Sequence, residues 1–191
     1  MTRITKLMAV MLAGILVLGL AGCDQTKDAN AAISAANELS QEYTALDEKI
    51  ATLMDEASTA EMTAAGVVPG IAALDEASTR FTERKDIIGQ IEAEFQKIEG
   101  YDVADEIKTY AAQQVEIAKL LGQMDDLGIK LIADTKSLYE LIKSGSDDTA
   151  KVDELSASIA EVSQQLGELD TQVTEKQTAS DTYFIDSGLG K

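Results

Sequence analysis

The residue with the clearest chemical potential in this chain is its single cysteine, Cys23. It has no second cysteine for an intrachain disulfide, and a thiol is the best side-chain nucleophile for forming a thioether. Positive charge near the start of the chain is followed by an uncharged apolar run over residues 7–20 and by small residues in Leu20-Ala21-Gly22-Cys23. An apolar run this short, with these flanks, predicts a signal peptide over residues 1–22 rather than a spanning helix.

The tetrapeptide Leu20-Ala21-Gly22-Cys23 resembles the lipobox of bacterial lipoproteins. The resemblance implies cleavage between Gly22 and Cys23 and a diacylglyceryl thioether on Cys23, with palmitate-like acyl chains. Two acyl chains hold a protein at a bilayer where a single chain is marginal. The expected location is therefore the extracytoplasmic face of the cell membrane. An uncleaved signal anchor and an ordinary secretory signal are the alternatives.

Paired carboxylates are the next candidates for chemistry, because two acids can perform acid–base catalysis or bind a cation. Most of them adjoin the apolar stripes of predicted helices, on faces expected to be in water. The sequence shows no nucleophile–base pair, phosphate-binding loop or metal-ligand cluster, and it contains no histidine, so neither an enzyme nor a metal or other cofactor is expected. The pairs are Asp47-Glu48, Asp55-Glu56, Asp75-Glu76, Asp125-Asp126 and Asp147-Asp148.

A few polar residues occupy positions where the helical pattern calls for apolar ones. Arg84 either pairs with a carboxylate of another helix and sets the helix register, or extends its stem to the edge of the bundle. Gln114 and Thr135 are interpreted in the same way, as register-setting residues. Tyr43 and Tyr110 are predicted to be core residues with their hydroxyls at the rim, in preference to forming an aromatic cage.

The composition is strongly acidic, with 34 Asp and Glu against 16 Lys and Arg and a net charge of −18. Loss of residues 1–22 removes Arg3 and Lys6 and no acid, which takes the net charge from −18 to −20. Such a surface repels nucleic acid, so nucleic acid is not an expected partner. The absence of Trp argues against a stacking platform for sugars or bases.

Four stretches carry apolar residues alternately three and four positions apart, the pattern of helices packed along their length. They cover residues 36–60, 74–98, 103–142 and 152–173, and no stretch alternates as a half-buried strand does. The narrow apolar stripes and the short connections between the helices predict an all-α fold. The expected architecture is an elongated antiparallel bundle of three or four long helices with coiled-coil-like packing.

Three breaks separate these stretches. The first helix is predicted to end at residues 66–70, where Pro69 cannot continue it. The second break lies at residues 99–102, with Asp102 as the predicted N-cap of the third helix. A reversal at Gly100 and a kinked continuation both remain open. Residues 144–147 form the third break, and Asp147-Asp148 is expected to supply the N-cap and first-turn charge of the last helix.

The predicted organisation has four segments. Residues 1–22 form the signal peptide, residues 23–30 a lipidated tether, residues 31–185 the helical bundle and residues 186–191 a tail. The helical pattern fades from Thr178 onward, although Tyr183, Phe184 and Ile185 make an apolar cluster that could dock on the bundle.

A family resemblance extends over most of the chain after Cys23. The segment RFTERKDIIGQIEAEFQKI at residues 80–98, the run Leu138-Tyr139-Glu140-Leu141 and the closing run at residues 183–189 resemble the YkyA-like family of cell-wall-binding lipoproteins from Gram-positive bacteria. The body of this chain is richer in Ala, Ser and Thr and poorer in Lys than is expected of that family. The resemblance implies a helical fold and an envelope location, and it supplies no catalytic or binding residue.

Together these observations predict a membrane-anchored, non-enzymatic lipoprotein. Its expected partners are the membrane, through diacylglycerol on Cys23, and an envelope protein or cell-wall component. A lipid-anchored module that binds a solute or a divalent cation is the alternative, resting on the acidic charge and the carboxylate pairs.

Overall fold

The computed structural model describes residues 25–189, which form four α-helices packed together as a bundle. The all-α bundle predicted from the apolar stripes is therefore confirmed, with four helices rather than three. No helix in this described range has an apolar stretch long enough to cross a membrane. The helices are α1 (Thr26–Ser58), α2 (Val67–Glu99), α3 (Asp105–Ser144) and α4 (Thr149–Asp186).

The described residues divide into two compact units, to which all four helices contribute. Unit 1 contains residues 25–44, 86–122 and 170–189, and unit 2 contains residues 45–85 and 123–169. In unit 1 the core includes an aromatic cluster in which Tyr110 packs edge-on against Phe95, with ring centroids 6.2 Å apart, and lies 5.2 Å from the ring of Phe184. The apolar cluster predicted at the end of the chain thus docks through Tyr183 and Phe184, whereas Ile185 is 70% exposed.

Unit 1 shows that the chain reverses at Gly100. Phe95 and Tyr110 are fifteen positions apart and would be separated by about 22 Å in one continuous helix. Their rings are in contact instead, so α2 and α3 run in opposite directions on either side of residues 100–104. Of the two arrangements left open at Gly100, the structure adopts the reversal.

In unit 2 the ion pairs between α2 and α3 show the same antiparallel direction. Lys85 on α2 pairs with Asp126 on α3, and Asp75 on α2 pairs with Lys136 on α3. Moving ten residues towards the start of α2 therefore corresponds to moving ten residues towards the end of α3. Apolar side chains fill the interior between the helices, as the stripe pattern predicts. One cluster of buried apolar residues in this unit comprises Ile50, Ala57, Val67, Ile71, Ala73, Leu74, Ala77, Phe81, Ile132 and Tyr139.

The break predicted at residues 66–70 is displaced. The connection between α1 and α2 is residues 59–66, and α2 already begins at Val67, with Pro69 in its first turn. A proline is tolerated there because the first N–H groups of a helix have no partner within it. Gly70 has a packing role, since a Cβ at this position would lie 2.7 Å from Cε2 of Tyr139.

Both outer boundaries of the bundle also differ from the prediction. Helix α1 begins at Thr26 and Ala29 is fully buried, so the tether expected over residues 23–30 is wrong for residues 26–30. At the other end, α4 continues to Asp186, and Leu189 is 4% exposed and part of the unit 1 core. The tail expected over residues 186–191 is therefore packed at least as far as Leu189.

The caps of α3 and α4 give one wrong and one correct prediction. Asp102 is not the N-cap of α3, because α3 begins at Asp105. The backbone N–H of Asp102 donates to the side-chain oxygen of Gln25 instead. The Asp148 carboxylate accepts the N–H of Lys151 at 3.0 Å and caps α4, as predicted. The first-turn charge expected from Asp147-Asp148 is not observed, because both acids precede Thr149, where α4 begins. The turn before it is also as predicted, because Gly145 adopts a φ of +67° and ends α3.

Candidate functional site

The predicted lipidation site cannot be compared with the structure. Gly22, Cys23 and the whole of residues 1–22 lie outside the described residues, which begin at Gln25. The modification of Cys23 and cleavage after Gly22 therefore stay predictions from the sequence. The described residues contain a different feature of chemical interest, a buried cluster of charges centred on Arg84 in unit 2.

Arg84 is buried and bridges two other helices. It lies on α2 and is only 4% exposed. Its Nε donates to Oδ1 of Asp125 on α3 at 3.0 Å, and its Nη2 donates to the same oxygen. Its Nη1 donates to Asp47 on α1. Of the two hypotheses for Arg84, the structure confirms the one in which it pairs with carboxylates across the bundle.

The surroundings of the guanidinium are also specific. The Arg84 guanidinium carbon lies 4.6 Å from the centre of the Phe81 ring, one turn earlier on α2, in a cation–π arrangement. The Phe81 ring in turn packs against α3 at Gly128, where a Cβ would lie 2.6 Å from Cζ of the ring. The absence of a side chain at Gly128 therefore allows Phe81 to come close to α3 beside the buried charges.

The cluster contains two carboxylates but one guanidinium. Asp125 is fully buried, and the side chain of Asp47 is 15% exposed. Burial raises the pKa of Asp125 to about 6, against the opposing attraction of Arg84. Burial likewise raises the pKa of Asp47, and the charge of Glu48 adds to that rise. Among the described residues, Oδ2 of Asp125 accepts no hydrogen bond although it is enclosed by protein.

The side chains of the acidic pairs are of two kinds, some exposed to solvent and some buried. Both acids of Asp55-Glu56, Asp75-Glu76 and Asp147-Asp148 are exposed, as predicted. The expectation of wet faces is wrong for Asp125 and Asp47, which lie inside. Two features of the sequence could have identified these buried acids. Each acid directly follows a buried residue of an apolar stripe, and Arg84, which occupies a stripe position, requires a buried acid as its partner.

The other polar stripe positions differ from each other. Gln114 on α3 donates to the Ser180 hydroxyl on α4 at 2.9 Å, a buried cross-helix bond of the kind predicted. Ser180 itself was not expected in the core, because the apolar pattern fades before it. The Thr135 hydroxyl donates to the Leu131 carbonyl of its own helix, so the cross-helix role predicted for Thr135 is not observed.

Three of the tyrosines are core residues. Tyr43 is 1% exposed and Tyr110 is 7% exposed, which confirms their predicted placement in the interior. The hydroxyl of Tyr43 is enclosed by protein, so its predicted position at the rim is wrong. Burial raises the pKa of Tyr110 to about 12, with a smaller contribution from the charge of Asp181. The Tyr139 hydroxyl in unit 2 donates to the Ala57 carbonyl at 2.7 Å, near the end of α1.

The remaining described surface includes an open groove, and the described range contains no metal-ligand cluster. The groove lies in unit 1 and is lined by α1, by α2 and by Tyr101, with Glu94 and Lys97 paired at 2.6 Å along it. Within residues 25–189, no group of three or more Cys, Asp or Glu side chains is placed to hold a metal ion. The cation-binding alternative stays a prediction, which a calcium titration of the full chain tests.

Comparison with known proteins gives no match: no family model, curated protein or solved structure corresponds to this chain. The resemblance to the YkyA-like family accordingly rests on the sequence features alone. The chemistry available in unit 2 is that of an interior charge cluster, which can hold three helices in register and can bind a proton.

Proposed function

We propose that this protein is a lipid-anchored component of the extracytoplasmic membrane face, whose helical bundle binds an envelope protein or a cell-wall component without catalysing a reaction. The observation that carries the proposal is the sequence Leu20-Ala21-Gly22-Cys23 after an apolar run with positive charge before it. The only cysteine of the chain stands where lipid attachment would require it.

The start of α1 is consistent with a closely anchored body. Thr26 is three residues after Cys23, and three residues span at most about 10 Å even when fully extended. The Gln25 side chain accepts a hydrogen bond from the backbone of Asp102, which ties the start of α1 to the α2–α3 connection. Lipid on Cys23 would therefore hold this end of unit 1 close to the headgroups.

The binding part of the proposal is supported by the outer faces of the helices. The buried positions of α4 form a narrow stripe that includes Leu155, Val162 and Leu166, and most of the positions between them are exposed. Long exposed faces with a net negative charge suit recognition of a basic or neutral partner rather than nucleic acid. The YkyA-like resemblance adds the expectation of a cell-wall-associated role.

The anchoring part is tested by metabolic labelling with a palmitate analogue in a bacterial host that carries lipoprotein-processing enzymes. We expect label on the wild-type chain and on the control D24N, and none on C23A. Mass spectrometry should identify Cys23 as the first residue of the mature protein. An unlabelled wild-type chain, or label retained by C23A, would contradict lipid attachment at Cys23.

The binding part is tested separately by photo-crosslinking in cells. A photoreactive residue is placed at exposed Glu161 on α4 or at exposed Gln90 on α2. We expect an envelope protein or wall fragment to be captured from at least one position, and less of it when C23A removes the anchor. Failure to enrich any protein or wall fragment over an uncrosslinked control would count against a binding role.

A further inference from the structure

The Arg84 cluster in unit 2 has an uncompensated charge. When every group is ionised, the carboxylates of Asp47 and Asp125 oppose one guanidinium, which leaves a net charge of −1 in the interior. A buried charge without a partner is costly, and the usual outcome is that the group takes up a proton. The geometry identifies which carboxyl is the better proton acceptor.

Asp125 is that carboxyl, because its two oxygens have different environments. Oδ1 accepts two hydrogen bonds from Arg84, from Nε and Nη2. Oδ2 is enclosed and, among the described residues, receives no donor. The side chain of Asp47 retains some contact with solvent, whereas Asp125 has none. A proton on Oδ2 removes the excess charge without disturbing the bonds that Oδ1 makes to Arg84.

We propose that Asp125 is a proton-binding switch inside unit 2. When Asp125 is protonated, the junction of α1, α2 and α3 at Arg84 is electrically balanced; when the proton leaves, an excess buried negative charge weakens the packing around that junction. The junction involves one residue from each of three helices, so its strength affects their packing rather than a single side chain. The proton site itself does not depend on the lipid anchor. Its use as a sensor of the pH of the medium rests on the proposed extracytoplasmic location.

The charged groups around Asp125 come from three helices of the described structure. Asp47 on α1 and Asp126 on α3 both disfavour its ionised form, whereas Arg84 on α2 favours it. Asp126 itself forms an exposed ion pair with Lys85 on α2. Glu48 acts through Asp47, whose pKa it helps to raise.

The sign of the pH dependence follows from this arrangement. Burial raises the pKa of Asp125 from 3.8 to about 6, so the folded chain holds a proton that the unfolded chain releases between these values. The resulting stabilisation is fully present below pH 3.8 and is lost as the pH rises through about 6. The folding equilibrium constant should therefore fall roughly fiftyfold between pH 4 and pH 7 through this group alone.

The test compares the full chain with D125N and D126N by chemical unfolding between pH 4 and pH 7. Asn at position 125 is neutral at every pH, so D125N should lack this roughly fiftyfold component. D126N changes the adjacent, exposed acid and should retain most of it, because the Asp126 charge is the last of the causes that raise the pKa of Asp125. Asp47 shares Arg84 with Asp125, so its own titration changes in D125N and is compared separately. An equal pH response in wild type and D125N, or its loss in D126N as well, overturns the proposal.

A second measurement does not require any variant to fold. Carbon-detected NMR of the wild-type chain follows the Asp125 carboxyl directly as the pH is changed. We expect a titration midpoint near 6 for Asp125 and chemical shifts at Arg84 that follow the same midpoint. A midpoint close to that of an exposed aspartate, or Arg84 shifts that are independent of it, overturns the proposal.

Discussion

Gly128 permits a specific prediction, because two glycines inside helices have opposite surroundings. A Cβ at Gly128 would lie 2.6 Å from Cζ of Phe81 and closer still to Cε1. Ordinary van der Waals contact needs 3.4–4 Å, so the ring would have to move by roughly 1 Å. At Gly89, on the exposed side of α2, a Cβ would meet nothing within 4 Å.

The magnitude follows from two opposing contributions. Replacing a glycine in a helix interior by alanine stabilises the folded state by about 0.5–1 kcal/mol. Inserting an extra methyl into a packed core costs about 1–3 kcal/mol. The cost at Gly128 should be in the middle of that range or above, because Phe81 is buried and the guanidinium of Arg84 lies against its ring.

We therefore expect G89A to raise the free energy of unfolding by about 0.5–1 kcal/mol and G128A to lower it by about 1–2.5 kcal/mol. Urea unfolding of the full chain, followed by far-UV circular dichroism, measures both values without adding salt that would screen the ion pairs. Replacing Phe81 by Leu in the G128A background should recover part of the loss, since the shorter side chain leaves room for the methyl. The reasoning is refuted if G128A stabilises the protein as much as G89A does.

Two further predictions concern single hydrogen bonds. D148A should lower the free energy of unfolding by about 1 kcal/mol, because it removes the side chain that caps the Lys151 N–H. D147A, at the neighbouring exposed acid, should change the free energy of unfolding by much less. Thermal denaturation of both variants measures the difference. Y139F should cost about 1 kcal/mol by removing the shorter of the two hydrogen bonds to the Ala57 carbonyl, which keeps only the 3.3 Å bond from the Ala60 N–H. A urea midpoint equal to that of the wild type would contradict the assigned bond.

The helices themselves could be predicted because their signal is local and repeated. Each apolar stripe extends over six or more turns, so an error at one position hardly changes the direction in which the stripe faces. The turn after Ser144 was also predictable, since Gly145 adopts the positive φ that a helix end of this type favours. These features depend on residues within a few positions of each other.

The helix ends were less predictable because partners distant in sequence contribute to them. Asp102 has the side chain of a good N-cap, yet its backbone is held by Gln25, 77 positions earlier. The local sequence predicts that Pro69 ends the first helix, whereas in the structure Pro69 is a tolerated residue in the first turn of α2. Buried Ala29 likewise extends α1 through a stretch whose sequence is mostly polar.

The charge cluster could be predicted only in part. Arg84 stood out because it interrupts a stripe, but its partners did not. Adjacent residues on a helix point about 100° apart, so which of Asp125 and Asp126 faces inward depends on the exact rotation of α3. That rotation is set by packing against α2, including the close approach of Phe81 to Gly128, and not by the local sequence.

The position of the cluster suggests why charge was retained in a core that apolar residues could fill. A repeating stripe of small and branched apolar residues tolerates a shift of one helix by two turns, since one heptad resembles the next. A shift of α3 by that amount would separate Asp125 from Arg84, which would keep Asp47, and would leave the Asp125 carboxylate buried without its partner, at a cost of about 3–5 kcal/mol. We infer that the cluster specifies register more than it adds stability. The same arrangement requires two acids from different helices to share one guanidinium, so the residues that align the helices also create the proton site at Asp125.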